Sequence, residues 1–297
     1  MLKNFKKICV TSFNKLRPIF TGIGFVVLFL VLSFFSYAFY DSVKNTKNPA
    51  PNDNNSVSNT TDIKDSNCNI MGINLHGNLL TYIPLHADND TTFNYDSISS
   101  ENIIEAINQA NKDQNIKAII VEIDSGGGSA VAGEEIANAV KISQKPVVAY
   151  IRGQGDSAAY WAISSASQIF ASKNSDVGSI GITGSYLSNA IKDKKDGYTF
   201  EQLNSGKYKD SGSFDKPLTE EERKLFMRDI NIMYYNFMED VSKNRNIPLD
   251  KVKTFSDGST VLGAKAKELG LIDQIGGIIE AKQYLKNITG EEQNICW

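Results

Sequence analysis

From Lys117 to Ile123 the chain reads K-A-I-I-V-E-I, a nearly unbroken β-branched run of the kind a buried strand needs. Pro146–Ile151 (P-V-V-A-Y-I) repeats the pattern, and Asn69–Leu75 is a shorter apolar run followed by turn residues. Between these runs the period changes. Ser99 to Asn111 sets Ile103, Ile104 and Ile107 at helical spacing, with Ser99 or Ser100 as the cap. Residues 129–142 and Ser157–Ala166 also read as helices, the second built from small residues. Gln168–Ala171 and Val177–Ile182 predict two short strands, and the glycines at 126–128 and 153–155 predict turns. This alternation predicts an α/β fold with a parallel core. The longest predicted helix runs from Thr219 to Arg245. Thr219 and Glu222 form a capping box, and Leu225, Phe226, Ile230, Met233, Phe237 and Val241 keep the 3.6-residue period. That stripe reads as core or subunit interface, not as a cofactor site.

Ahead of this alternation the pattern is different. Ile19 to Tyr40 is a 22-residue run without a charge, and a helix of that length spans a hydrocarbon core of about 30 Å. Five basic residues (Lys3, Lys6, Lys7, Lys15, Arg17) and no acid accompany it, all on its N-terminal side. The positive-inside rule therefore predicts a cytoplasmic tail (1–18), a transmembrane anchor (19–40) and an exported remainder. A cleaved signal peptide is the competing reading, and Ser36-Tyr37-Ala38 offers a small-x-small cleavage pattern; the run is long for that role. Residues 41–67 are polar, carry two prolines and read as a flexible stalk. Residues 68–297 are left as one extracytoplasmic domain, long enough for a sizeable core.

The whole chain of 297 residues has a formal charge of −3, from 31 basic and 34 acidic residues. Setting aside the basic tail leaves 26 basic against 34 acidic residues, a net of −8 for 41–297. So acidic a body excludes a nucleic-acid binder, which needs a basic surface to neutralise phosphates. Three cysteines show no C-x-x-C spacing. Cys68 and Cys296, near the two ends of the exported domain, either pair in an oxidising compartment or remain thiols. Cys and His never cluster, so no metal and no cofactor is predicted.

The candidate chemistry sits at two strand-to-helix turns, where ligands gather in open α/β sheets. In Asp124-Ser125-Gly126-Gly127-Gly128 the glycines permit positive φ and bring backbone N–H groups close to an oxyanion or phosphate; a plain tight turn would use the same residues. No Gly-Lys-Ser/Thr follows, so it is not a Walker loop. In Gly153-Gln154-Gly155-Asp156-Ser157-Ala158-Ala159, Ser157 opens a helix, as a nucleophile or as an N-cap. A serine nucleophile needs a base. The two histidines, His76 and His86, lie upstream and read as surface or strand-end residues. A lysine serves instead if burial holds its amine neutral. Composition does not say which lysine.

The chain resembles the signal peptide peptidase A family of membrane-anchored Ser-Lys peptidases, over roughly Asn69 to Gln283. Five segments carry the resemblance. Ile123–Gly128 is similar to an I-N-S-P-G-G turn and Asp156–Tyr160 to an A-S-G-G-Y nucleophile segment. Val177–Gly181 is similar to T-G-S-I-G, and Ser205–Asp210 to S-G-x-x-K-D. Asp257-Gly258 with Gly263, Ala266, Gly270–Asp273 and Gly276 is similar to a C-terminal D-G-R-V-x-x-G-x-x-A…G-L-V-D-x-x-G signature.

The resemblance implies a Clp protease/crotonase-like β-superhelix behind the anchor. It also implies Ser157 as nucleophile, Lys209 as general base (with Lys207 its neighbour) and Ser179 as the hydroxyl that orients the amine. The Gly127 and Gly128 amides would form one side of the oxyanion hole and Ala158 the other. Clp proteases use a histidine after the serine; this chain has none after His86, which fits Ser-Lys catalysis. The implied substrates are remnant signal peptides. The implied assembly is a homo-oligomeric ring in which serine and lysine can come from neighbouring subunits. Three departures stand out: Asp124 for asparagine, Gly126 for proline, and Ala158-Ala159 for Gly-Gly. They motivate a second reading, a catalytically impaired scaffold that binds membrane proteins. A crotonase-type acyl-CoA enzyme is a third, from fold analogy alone.

Overall fold

In the computed structural model, which describes residues 68–83 and 96–297, the β-branched runs form the centre of a single mixed sheet. Its strands are β1 (Ile70–Leu80), β2 (Ser97–Ser99), β3 (Ala118–Gly128), β4 (Val147–Asp156), β5 (Gln168–Ala171), β6 (Asp176–Gly178), β7 (Thr260–Leu262), β8 (Gln274–Ile275) and β9 (Ile295–Cys296). The order is β2-β1-β3-β4-β5-β8, all parallel. Past β5, the far end of β4 pairs instead with β6, and β6 runs antiparallel to β7. The predicted parallel core is therefore correct for the main sheet and incomplete at its rim.

The helices are α1 (Ser100–Lys112), α2 (Ala130–Ile142), α3 (Ala158–Ile163), α4 (Ala190–Lys195), α5 (Glu220–Arg245), α6 (Leu249–Lys253), α7 (Gly263–Leu269) and α8 (Ile278–Thr289). Ser99 caps α1, its side chain accepting from the Asn102 N–H, and Thr219 and Glu222 close the predicted capping box of α5. Strand alternation sorts the core into two layers. Met71, Ile73, Leu75, Ile119, Val121, Ile123, Ala149 and Ile151 face α1, α2 and α3. Ile70, Ala118, Ile120, Val148, Tyr150 and Phe170 face α8 through Ala281 and Leu285. Burial on both faces is why these strands read as continuous apolar runs.

On the α8 side the strands turn polar toward their C-terminal ends. There the Glu122 carboxylate accepts from Arg152 NH1 at 2.8 Å and lies 3.0 Å from His76 Nε2. The C-terminal strand closes the other edge: β9 pairs with the start of β1, and Cys68 is disulfide-bonded to Cys296 with Cα atoms 5.8 Å apart. The two thiols left open by the sequence are thus paired.

The anchor, the stalk and His86 lie outside the described residues. Among the described residues no helix is long and apolar enough to cross a membrane.

Candidate active site

Both glycine turns turn out to be extensions of strands. β3 runs through Gly126–Gly128 because β1 holds it, β4 pairing no further than Ser125; Gly128 pairs with Leu79, and any Cβ there would meet the Leu79 carbonyl oxygen at 2.1 Å. β4 runs through Gly155-Asp156 because β6 pairs with it, Asp156 opposite Gly178. The two strand ends bring the candidate groups together. Gly127, at φ +100°, packs so tightly that a Cβ would sit 2.9 Å from Ala158 N, Asp156 O and Ser157 Cβ. The glycine turn therefore lies directly against the candidate nucleophile.

Ser157 joins β4 to α3 with φ 52° and ψ −125°, a conformation few residues other than glycine adopt. Its N–H donates to Gly178 O at 2.7 Å, and its carbonyl accepts from Trp161 N at 2.9 Å. Its side chain makes no capping bond, so the N-cap reading fails and the hydroxyl is left for other work. The Ala158 N–H, in the first turn of α3, has no intrahelical acceptor. Behind it α3 is wholly buried; Trp161 stacks on Phe237 of α5 at 4.6 Å and Tyr160 Oη donates to Leu271 O at 2.8 Å.

Ser179 follows the carbonyl that holds Ser157, and it too has positive φ (47°). Its N–H donates to Ser259 O and its Oγ donates to Gly258 O at 2.9 Å. Gly258, read in sequence only as part of a C-terminal signature, thus supports Ser179 directly, and Asp257 does so only through Ser259, whose N–H and hydroxyl donate to its Oδ1.

One expectation needs correction. The Gly127 N–H is engaged: it donates to Ser125 Oγ at 3.1 Å, and that hydroxyl donates in turn to Gly77 O at 2.6 Å. Gly127 offers its N–H to an oxyanion only by exchanging that bond; Gly128 and Ala158 need no such exchange with Ser125. The Oδ1 of Asp124, one of the three departures, accepts from the Gln154 N–H at 3.3 Å, on the Gly153 side of the turn.

Lys209 makes no hydrogen bond to this cluster. It lies in a turn closed by its own N–H to Gly206 O, its side chain is exposed, and among the described residues no hydrogen bond or ion pair involves its amine. Lys207 is committed: its amine is 2.9 Å from Glu221 and 5.2 Å from the Tyr208 ring centroid, and the Glu221 bond raises its pKa. Nearly every residue from 183 to 209 is exposed, including Leu187, Ile191, Tyr198 and Leu203, and so are Phe226, Ile232 and Tyr235 of α5. The segment is tied to α5 through Lys216, paired with Glu222 at 2.6 Å; that ammonium pulls the Glu222 carboxyl down to about 2. Gly178, Ser125 and Asp156 fall in segments the sequence singles out, but the sequence assigns none of them a role, because the roles of the first two are set by strands far away in the chain.

Ser157, at positive φ on a strand-to-helix turn with Gly127 and Ala158 beside it, is a candidate nucleophile on a Clp protease-like α/β fold. Residues 139–290 match the family model of peptidase family S49, and residues 91–177 match that of Clp protease. The chain belongs to peptidase family S49, whose matched segment covers more than half of it. It is 32% identical over 188 residues to a putative protease of Methanocaldococcus jannaschii, covering 63% of this chain and 60% of that one. It is 31% identical over 188 residues to the chloroplastic serine protease SPPA of Arabidopsis thaliana, 62% of this chain and 28% of that one. To a putative signal peptide peptidase SppA of Enterococcus faecium it is 29% identical over 197 residues, 65% of this chain and 57% of the relative. The chain thus spans less than two thirds of the length of these relatives.

Proposed function

We propose that the chain is a membrane-anchored serine endopeptidase with a Ser157–Lys209 dyad. It hydrolyses remnant signal peptides and other unfolded or hydrophobic peptides. The seat of Ser157 carries this reading: strained backbone, an N–H taken by Gly178, a free hydroxyl, and Gly127 and Ala158 against it. Family membership and the likeness to proteases named SPPA and SppA support the substrate class. The basic tail and apolar run at 1–40 support an N-terminus held in the cytoplasm and a catalytic domain outside.

In this reading the Lys209 amine takes the Ser157 proton as Oγ forms a bond to the peptide carbonyl carbon. The Ala158 and Gly128 amides stabilise the oxyanion, each donor worth about 3–4 kcal/mol. Collapse breaks the C–N bond, and the lysine ammonium returns its proton to the leaving amine. Water then cleaves the acyl-enzyme with the same lysine as base. Ser179 orients the amine. The exposure of Lys209 and of the apolar residues around it supports a homo-oligomer in which Lys209 reaches Ser157 of a neighbouring copy.

Fluorophosphonate labelling of the purified full chain tests the reading. Labelling of wild type that disappears in Ser157→Ala supports it. No labelling, together with no turnover of denatured protein, overturns it in favour of the scaffold reading, which the engaged Gly127 amide favours.

A further inference from the structure

Immediately before the nucleophile stands a carboxyl group that the chemistry above does not use. Asp156 ends β4 and is only 8% exposed. Its Oδ1 is buried and has no hydrogen-bond partner. Its backbone is fixed from two sides: it lies opposite Gly178 in the β4–β6 ladder, and its carbonyl is packed against Gly127. The nucleophile segment that this stretch resembles carries alanine there, so the carboxyl is a feature of this chain.

We propose that Asp156 is a charge-controlling residue of the Ser157 site, whose protonated form permits attack and whose ionised form restrains it. The inference rests on the peptidase reading. The physical argument is short. An ionised carboxylate with an orphaned, desolvated oxygen keeps much of its field, because the buried Oδ1 has no hydrogen-bond partner and no cation faces it. In sequence that charge is next to Ser157 and two positions from the Ala158 amide, where negative charge must develop in the transition state. A neutral carboxyl imposes no such cost.

The surroundings set where the change occurs. Burial, and then the carboxylate of Asp176, push Asp156 up to about 6. Asp176 is exposed on β6, two positions before Gly178, and its Oδ1 accepts from Thr260 Oγ1 of β7 at 3.3 Å. Of the other elements meeting this end of β4, β3 also presents the Asp124 carboxylate, bonded to the Gln154 N–H two positions before Asp156; Gly126–Gly128 of β3, Ala158 of α3 and Gly178 of β6 do not titrate. No cation acts on Asp156 among the described residues.

The experiment is the rate of Ser157 labelling by a fluorophosphonate from pH 4.5 to 9, in the full chain and in Asp156→Asn and Asp176→Asn. The ratio of the Asp156→Asn rate to the wild-type rate is expected near one at pH 5. It should rise through pH 6 to roughly tenfold at pH 8, the order expected of one incompletely screened charge this close. Asp176→Asn removes a like charge from an exposed position, so the wild-type inflection should move to lower pH without vanishing. It carries the test by itself if Asp156→Asn fails to fold. A ratio that stays flat with pH, or an inflection that does not move in Asp176→Asn, overturns the proposal while leaving the peptidase reading intact. Wild type unlabelled at every pH overturns both.

Discussion

The Ser157 N–H donates to the carbonyl of Gly178 at 2.7 Å, and this one bond ties the two serines of the site to a common ladder. Ser157 follows β4, Ser179 follows β6, and both adopt positive φ as the strands part. The bond makes the strained backbone of Ser157 a property of the sheet, not of a local turn.

Gly127→Ala tests how tightly the two turns are packed. The new Cβ would sit 2.9 Å from Ala158 N and Ser157 Cβ, at a φ of +100°. A loss of at least about a hundredfold in Ser157 labelling is expected, with a stability loss on the order of 1–3 kcal/mol. Labelling rates and chemical unfolding of the variant measure both; an active, equally stable variant would refute the packing argument.

If serine and lysine come from different copies, Ser157→Ala and Lys209→Ala chains complement each other. Each should be inactive alone. Co-expressed, they should regain activity at about a quarter of the sites of a randomly mixed assembly. No recovery in mixed oligomers confirmed by tagging would place both groups in one chain.

The Asp156 carboxyl also links stability to pH. Its folded pKa, about 6, is above its ordinary 3.8, so the folded state binds more protons between those values. Stability is therefore greatest below about pH 4 for this group and falls as pH rises toward 6. Roughly two units at about 1.4 kcal/mol each give a loss of about 3 kcal/mol. Asp156→Asn should remove that slope and be the more stable protein at pH 7.5, as read by urea unfolding at pH 4.5 and 7.5.

Phe237→Ala opens a cavity behind α3, where Trp161 stacks on the ring with the planes 5° apart. A cost of about 3–5 kcal/mol is expected, and Ser157 labelling should fall because α3 loses its backing. Thermal unfolding and labelling together check this. Phe237→Leu should lose markedly less of both.

The regular elements were legible where one physical cause dominates. The α5 helix starts at Glu220, behind the predicted Thr219 cap, and ends at Arg245, because capping box and period agree. Gln168–Ala171 came out residue for residue. The glycine runs were misread as turns: glycine weakens a strand on its own, but β1 on one side and β6 on the other keep these backbones extended. Val177–Ile182 was read as strand too far, since Ser179 at positive φ stops the ladder at Gly178. Within the site, Ser157, Ser179, Gly127, Gly128 and Ala158 could be named from local pattern and resemblance. Asp156 could not. In sequence it is an acid in a polar turn, and only the tertiary fold withdraws it from water.

The Cys68–Cys296 bond, spanning 228 positions, has a mechanical consequence. A pull on the chain ahead of Cys68 enters β1 and, through the disulfide, β9, which runs parallel to β1 at the same edge. β1 and β3 are parallel and paired along most of their length, so the load meets their hydrogen bonds in shear, many at once. Tension from that side cannot peel the C-terminal strand away first, and reaching β4, which leads into Ser157, means breaking the centre of the sheet.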